Sequence, residues 1–295
     1  MFKRGLYFHD RIIGILFIIP TVGFLFFTSL YPLIYALVLS FFKWDLAISK
    51  EMKFIGFQNY IYAFKDKYFL YSLFITIIFV IITVTIQVII GLIVAFLLSR
   101  EGKRLRIARS LVLIPMVITP VVVGILWRML FNPDFGLINY LFTVLGLTSQ
   151  QWLGDPKIAL ISVMITDIWE WTPFVILCFV AGITALPSDS YEAAKIDGAN
   201  NYQLLRHITL PLLKPVIIVT ILLRVLDSFK VVDTVYVMTY GGPGNSTKLM
   251  SFFIYEKGLK YFQIGYASAI SWIFIIFMFF FTFYFIRQRQ RAEEY

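Results

Sequence analysis

The sequence predicts an all-α integral membrane protein: six transmembrane helices and one structured polar loop between the fourth and fifth. Three observations carry this. Of 295 residues, 60% are hydrophobic and only 15% charged, with 31 phenylalanines. A soluble core of this length could not bury so much apolar surface. Six apolar runs approach the ~20 residues that cross a bilayer as a helix. Finally, a polar stretch at Glu192–Pro215, "EAAKIDGANNYQLLRHITLPLLKP", interrupts them.

The spans are expected near 12–40, 71–99, 110–131, 158–186, 216–240 and 266–286. The first is too long for a removable signal peptide and has no small-residue cleavage site. Pro20 and Pro32 should kink it, as Pro115 and Pro120 should kink the third. No soluble segment is long enough to fold alone, so residues 1–295 read as a single transmembrane domain, with the polar loop over about 187–215.

Loop charges set the orientation. Fourteen lysines and arginines fall on one side (Lys3, Arg4 and Arg11, the 100–109 loop, the polar loop and Arg287–Arg291), against nine on the other. The richer side is cytoplasmic, which puts both termini and the polar loop inside. The formal charge of +9 then reflects basic loops against anionic lipid rather than nucleic acid. Cys178 alone cannot form an internal disulfide, and His9 and His207 sit in no ligand-spaced motif. No metal site or cofactor motif is visible. "GGPGNSTK" at Gly241–Lys248 lacks the Gly-Lys pair of a phosphate-binding loop and reads as a tight, ordered connection. Without a nucleotide motif the chain is not expected to be an enzyme or to hydrolyse ATP itself.

The polar loop has the signals of two short helices meeting at a bend. Ser188 or Asp189 can cap the first, and Glu192 lies in its first turn. Gly198 can adopt the left-handed conformation that ends a helix. Asn200 and Gln203 fit a capping box for the second, which Pro211 and Pro215 should stop before the next span. Basic and acidic residues balance here, which suits docking into a protein groove better than DNA.

These residues resemble a family. Glu192-Ala193-Ala194, Asp197-Gly198-Ala199 and Ile208-Thr209-Leu210-Pro211 look like the "EAA" loop of permease subunits in binding-protein-dependent ABC sugar importers. "TYGGPGNSTKLMSFFIYEKGLKYFQIGYASA" and "IPMVITPVVVGILWRMLF" are similar to other parts of such permeases. The resemblance implies that the loop's two helices are coupling helices seated in a cleft of a separate ATPase. It also implies a second homologous permease subunit, two copies of that cytoplasmic ATPase, an extracytoplasmic solute-binding protein and a sugar substrate, in a bacterial or archaeal cytoplasmic membrane. ATPase coupling then falls to Glu192, Ala193, Ala194, Asp197, Gly198, Ala199 and Pro211. One departure stands out: Ile75-Thr76 occupies the place where such permeases often carry Asn-Thr.

Charges within spans mark partners or cavities, because each costs at least ~2.5–3.5 kcal/mol to insert at mid-membrane. Arg224, Asp227, Lys230 and Asp233 alternate in sign at three-residue steps and can neutralise one another. Asp167, Glu170, Trp171 and Phe174 share one helical face, and Asp167 and Glu170 lie ~14 and ~18 Å into the core. That face suits a sugar, with carboxylates for hydroxyls and aromatic rings for the pyranose face. Alternatively the carboxylates pair with Arg224 or Lys230. The expected substrate path comprises Asp167, Glu170, Trp171, Phe174, Asp227 and Lys230. Rival readings are a proton-coupled secondary transporter using Asp167 and Glu170, import of glycerol phosphate-like solutes by the same architecture, and a non-transporting membrane anchor.

Overall fold

The computed structural model describes residues 16–99 and 103–293. Lys3, Arg4, His9, Arg11 and Arg100 lie outside them. Among the described residues, five helices are long and apolar enough to cross a membrane: Leu16–Ser40, Lys67–Leu98, Ala159–Thr184, Tyr202–Ser228 and Ile264–Gln288. The chain divides into two compact units, 16–65 with 256–273, and 66–255 with 274–293.

In the first unit, helix α1 (Leu16–Ser40) contains a π turn at Phe26–Leu30, just ahead of Pro32. Its largely apolar, exposed surface is what lipid contact requires. Two-residue strands β1 (Phe42–Lys43) and β2 (Lys53–Phe54) pair antiparallel, Phe42 opposite Phe54. Helix α2 (Gln58–Lys65) follows, and its buried Asn59 donates to the carbonyls of Ser40 (2.8 Å) and Phe42 (2.9 Å). The segment from the π turn Glu256–Lys260 into the last helix closes the unit through Leu46 N–H to Phe262 O and Gly265 N–H to Trp44 O. Any side chain at Gly265 would strike the Phe42 carbonyl, so only glycine allows this approach.

In the second unit, α3 (Lys67–Leu98) packs along α8 (Ala159–Thr184) more extensively than any other pair of elements. Their seam is Ala95 and Leu98 against Val175, Ile176, Phe179 and Val180. Gly91 lets the axes close, since a Cβ there would come within 2.6 Å of Val175 Cγ1. The stretch expected as the third span is three short helices instead: α4 (Lys103–Val112), α5 (Ile114–Val117) and α6 (Pro120–Leu130), joined by α7 (Leu137–Val144) to α8. The cause is local. Ile118 and Thr119 are extended (ψ 138° and 141°), as steric conflict with Pro120 demands of the residue before it.

The polar loop comprises α9 (Ser188–Ile196), α10 (Asn201–Leu204) and a π turn at Leu205–Thr209 leading straight into α11 (Leu210–Ser228). Two expectations are corrected here. The proline stop does not occur: the backbone stays helical from the π turn through α11, with Pro211 in the first turn of α11 and Pro215 within it. The cap of α9 is also not a side chain: Pro187 holds that position, and Ser188 and Asp189 lie inside the helix.

The fifth span ends at Ser228, short of the expected 240. The chain turns at Phe229–Lys230 and resumes as α12 (Asp233–Met238), with α13 (Met250–Tyr255) and α14 (Ile264–Glu293) following. The intervening β-branched Val231 and Val232 favour the break. The loop at Gly241–Lys248 is tight and ordered, as expected. Gly241 and Gly244 have φ of 80° and 62°, and the Thr247 hydroxyl bonds both Gly242 O (2.8 Å) and the Thr239 hydroxyl (2.7 Å).

Candidate functional site

The site grows from one buried cation. Arg224, on α11, is 1% exposed, and each of its three nitrogens is used. Nε donates to Gln87 Oε1 on α3 (3.0 Å), Nη1 to Asp227 Oδ2 (2.8 Å), and Nη2 to Ser228 Oγ (3.0 Å) and Asp167 Oδ2 on α8 (3.3 Å). Gln87 closes the ring by donating to Asp167 Oδ2 (2.9 Å) and its backbone carbonyl (3.1 Å). Trp171 lies over the guanidinium, 5.1 Å from ring centre to Cζ. A fully buried guanidinium is tolerable only with its fork of donors filled. Three helices are held at one depth by that requirement.

The arrangement settles what the alternating charges do. The Arg224–Asp227 rung forms, at i,i+3. The Lys230 rung does not, because the helix has ended. Lys230 is exposed and, among the described residues, makes no ion pair. Asp167 takes the pairing alternative, bound to Arg224. Glu170 does not: it is 1% exposed, and its Oε1 is buried without a hydrogen-bond partner.

A cavity of about 430 Å³ opens beside this network, lined by Trp171, Phe174, Leu223, Arg224, Asp227 and Lys230. A smaller one of about 130 Å³ shares Trp171, Asp227 and Lys230 and adds Asp167 and Asp233. Five of the six expected path residues therefore line one of these spaces. Glu170 lines neither. Pro173, within α8, cannot donate to the Trp169 carbonyl, which leaves the helix backbone polar next to the aromatic wall. Thr76, at the Ile75-Thr76 departure, does structural work. It is fully buried, and its hydroxyl accepts the Met250 N–H at 2.8 Å, pinning α13 to α3.

Sequence reasoning missed Gln87 and Ser228. The signal for Gln87 was available: it is the only amide side chain in the apolar run 71–99.

The polar loop has the geometry of a docking surface. Gly198 stands at φ 83° and ends α9 with both bonds of a left-handed cap, Gly198 N–H to Lys195 O and Ala199 N–H to Ala194 O. Asn200 and Gln203 form the reciprocal capping box at 2.8 and 2.9 Å. Glu192, Ala193 and Asp197 are exposed, Ala194 and Ala199 half-buried, and Pro211 exposed. Ile196 is 86% and Tyr202 62% exposed, a large apolar offering for so polar a loop.

Residues 87–292 match the family of binding-protein-dependent transport system inner membrane components. The chain belongs to this family. It is a multi-pass membrane permease component of an ABC importer, and the secondary-transporter and anchor readings are set aside. A trehalose/maltose transport system permease of Thermococcus litoralis is 36% identical over 90% of this chain and 89% of its own length. A probable ABC transporter permease of Sinorhizobium fredii is 39% identical over 84% and 80%. Among solved structures, the fold matches a chain of a bacterial alginate ABC transporter in complex with alginate pentasaccharide-bound periplasmic protein. There the TM-score is 0.82 at 20% identity, over 96% of this chain and 95% of that one.

Proposed function

We propose that this chain is the permease that carries a sugar, an oligosaccharide of the maltose or trehalose kind, across the cytoplasmic membrane of a bacterium or archaeon. The energy comes from ATP hydrolysed by a partner subunit. The observation that carries the reading is the cavity floored by Trp171 and Phe174 and edged by Asp227 and Lys230, inside the spans of a binding-protein-dependent permease. Aromatic faces cover the apolar side of a pyranose, and a carboxylate and an ammonium engage its hydroxyls. The 36% identity to a trehalose/maltose permease supports the substrate class.

Residues 1–295 act as one permease domain with both termini cytoplasmic. It pairs with a second, homologous permease subunit and with two copies of a cytoplasmic ATPase, and receives its sugar from an extracytoplasmic binding protein. The loop over 187–215 is the ATPase contact. Exposed Ile196 and Tyr202 beside Glu192, Ala193 and Asp197 are the groups a protein cleft would bury. Uptake of labelled maltose and trehalose into proteoliposomes holding the whole complex tests this. It should require ATP, the ATPase and the binding protein together. Uptake driven by a pH gradient through this chain alone would refute it.

A further inference from the structure

A second cavity, of about 420 Å³, lies wholly within the first unit, among the turn after β1, helix α2 and the start of α14. Its chemistry differs from that of a lipid-facing crevice. Trp44 and Tyr62 supply aromatic walls, and Tyr62 is braced edge-on by Tyr266 at 5.2 Å between ring centres. Between them stand polar groups with unused bonding capacity. Asn59 spends both amide hydrogens on Ser40 O and Phe42 O, which fixes its orientation and leaves Oδ1 as an acceptor without a donor among the described residues. Asp45 uses one carboxylate oxygen, to accept Ala47 N–H, and its other carboxylate oxygen has no partner among the described residues. The side-chain amides of Gln58 and Gln263 have no protein partner among the described residues. The indole N–H of Trp44 is buried and has no acceptor among the described residues.

Aromatic platforms with planar amides and carboxylates between them are the groups that bind a polyhydroxylated ring: the rings cover its C–H face, and each amide both donates to and accepts from hydroxyls. The volume is that of a small-molecule site. An acceptor fixed in advance, like Asn59 Oδ1, avoids an ordering cost on binding. We infer that this cavity is a second carbohydrate site, lined by none of the residues of the path beside Arg224, and that it takes one or two pyranose units on the extracytoplasmic side, where the loop charges put residues 43–70. It is a place for sugar to rest between leaving the binding protein and entering the spans. The inference rests on the sugar reading and the orientation proposed above.

Saturation-transfer NMR tests it on the intact complex in lipid nanodiscs without binding protein, with maltose and trehalose as probes. Sugar contact should persist when Trp171→Ala disables the deeper cavity. It should weaken at least tenfold on adding Trp44→Ala or, separately, the pair Gln58→Ala and Gln263→Ala. Those amides hold nothing else among the described residues, so the pair leaves the fold standing should Trp44→Ala not. Contact unchanged by the glutamine pair, while the wild-type system still imports either disaccharide, would overturn this site and leave the proposed function intact. Import of neither disaccharide would overturn both. A need for more binding protein to stimulate hydrolysis, with sugar contact unchanged, would assign the cavity to protein docking and overturn it.

Discussion

Tyr191 donates its hydroxyl proton to Thr209 Oγ1 at 2.7 Å, and Thr209 donates onward to the Leu204 carbonyl at 3.1 Å. The first residue belongs to α9, and the second closes the π turn that feeds α11. One hydroxyl chain thus ties the helix carrying Glu192-Ala193-Ala194 to the span that holds Arg224. A π turn leaves backbone groups out of the usual ladder, and Thr209 supplies one of the missing bonds. Removing the donor should loosen this tie at a cost of about 1 kcal/mol. Tyr191→Phe should leave expression and ATPase attachment unchanged but lower sugar transported per ATP hydrolysed, by about fivefold. Parallel measurement of uptake and phosphate release in proteoliposomes checks it; an unchanged ratio refutes it.

Gly198 presents a different kind of constraint. A Cβ built there meets nothing within 4 Å, so the restriction is backbone conformation alone, at φ 83°. A β-branched residue resists that region by a few kcal/mol, whereas asparagine enters it with little penalty. Gly198→Val should stay in the membrane yet lose most binding-protein-stimulated ATP turnover, and Gly198→Asn should keep most of it. Equal turnover in the two would show that the bend does not matter to coupling.

Breaking the Arg224 network should be costly in one direction and mild in another. Arg224→Met leaves Asp167, 3% exposed, as a buried carboxylate with only Gln87 for company, a loss of roughly 3–5 kcal/mol. Neutralising its partner as well, in Asp167→Asn with Arg224→Met, should recover much of that. Thermal melting of the purified complex should fall sharply for the single variant and rise again for the double. A double variant as unstable as the single would mean the ion pair is not what holds α3, α8 and α11 together.

The two levels of structure were unequally legible. Apolar runs revealed five of the six expected spans because bilayer thickness fixes their length, and Gly198 with Asn200 and Gln203 revealed the loop because caps are local chemistry. Two features were harder to read. At Pro120 the sequence announces a kink, but whether it becomes a full interruption depends on the extended Thr119. At Pro211 the same residue type announces a stop, and the π turn at Leu205–Thr209 absorbs it. In the site, the helix rise from the expected start of the fourth span placed Asp167 and Glu170 near mid-membrane. It could not say that Arg224 would choose Asp167 and leave Glu170 alone, because that choice turns on which side of α8 faces α11.

The orientation can be read directly with cysteines. Ile48 is 80% exposed in the turn after β1, and His207 is exposed on the π turn that leads to α11. In a background with Cys178→Ala, Ile48→Cys should react with an impermeant maleimide in intact cells and His207→Cys only after the membrane is opened. Reaction of both in intact cells would refute cytoplasmic placement of the loop.

Lys230 separates transport from stability. It lines both cavities beside Arg224, its side chain makes no bond among the described residues, and it sits past the end of α11, so its removal leaves no buried charge stranded. Trp171 differs, because its ring also covers the Arg224 guanidinium, a contact that contributes about 1–2 kcal/mol when desolvated. Lys230→Met should therefore leave the melting temperature of the complex within about a degree of wild type. By removing one hydrogen-bonding charge from the sugar it should cut uptake at low sugar concentration by about tenfold. Trp171→Ala should lower both uptake and melting temperature. Glu170→Gln, at a residue that lines neither cavity, should leave the apparent affinity for sugar where it was. Saturation curves for uptake, set beside melting curves on the same three variants, decide the matter. Wild-type uptake in both Lys230→Met and Trp171→Ala would remove this cavity from the substrate path. An altered affinity in Glu170→Gln would instead mean that α8 turns to present that carboxylate during transport.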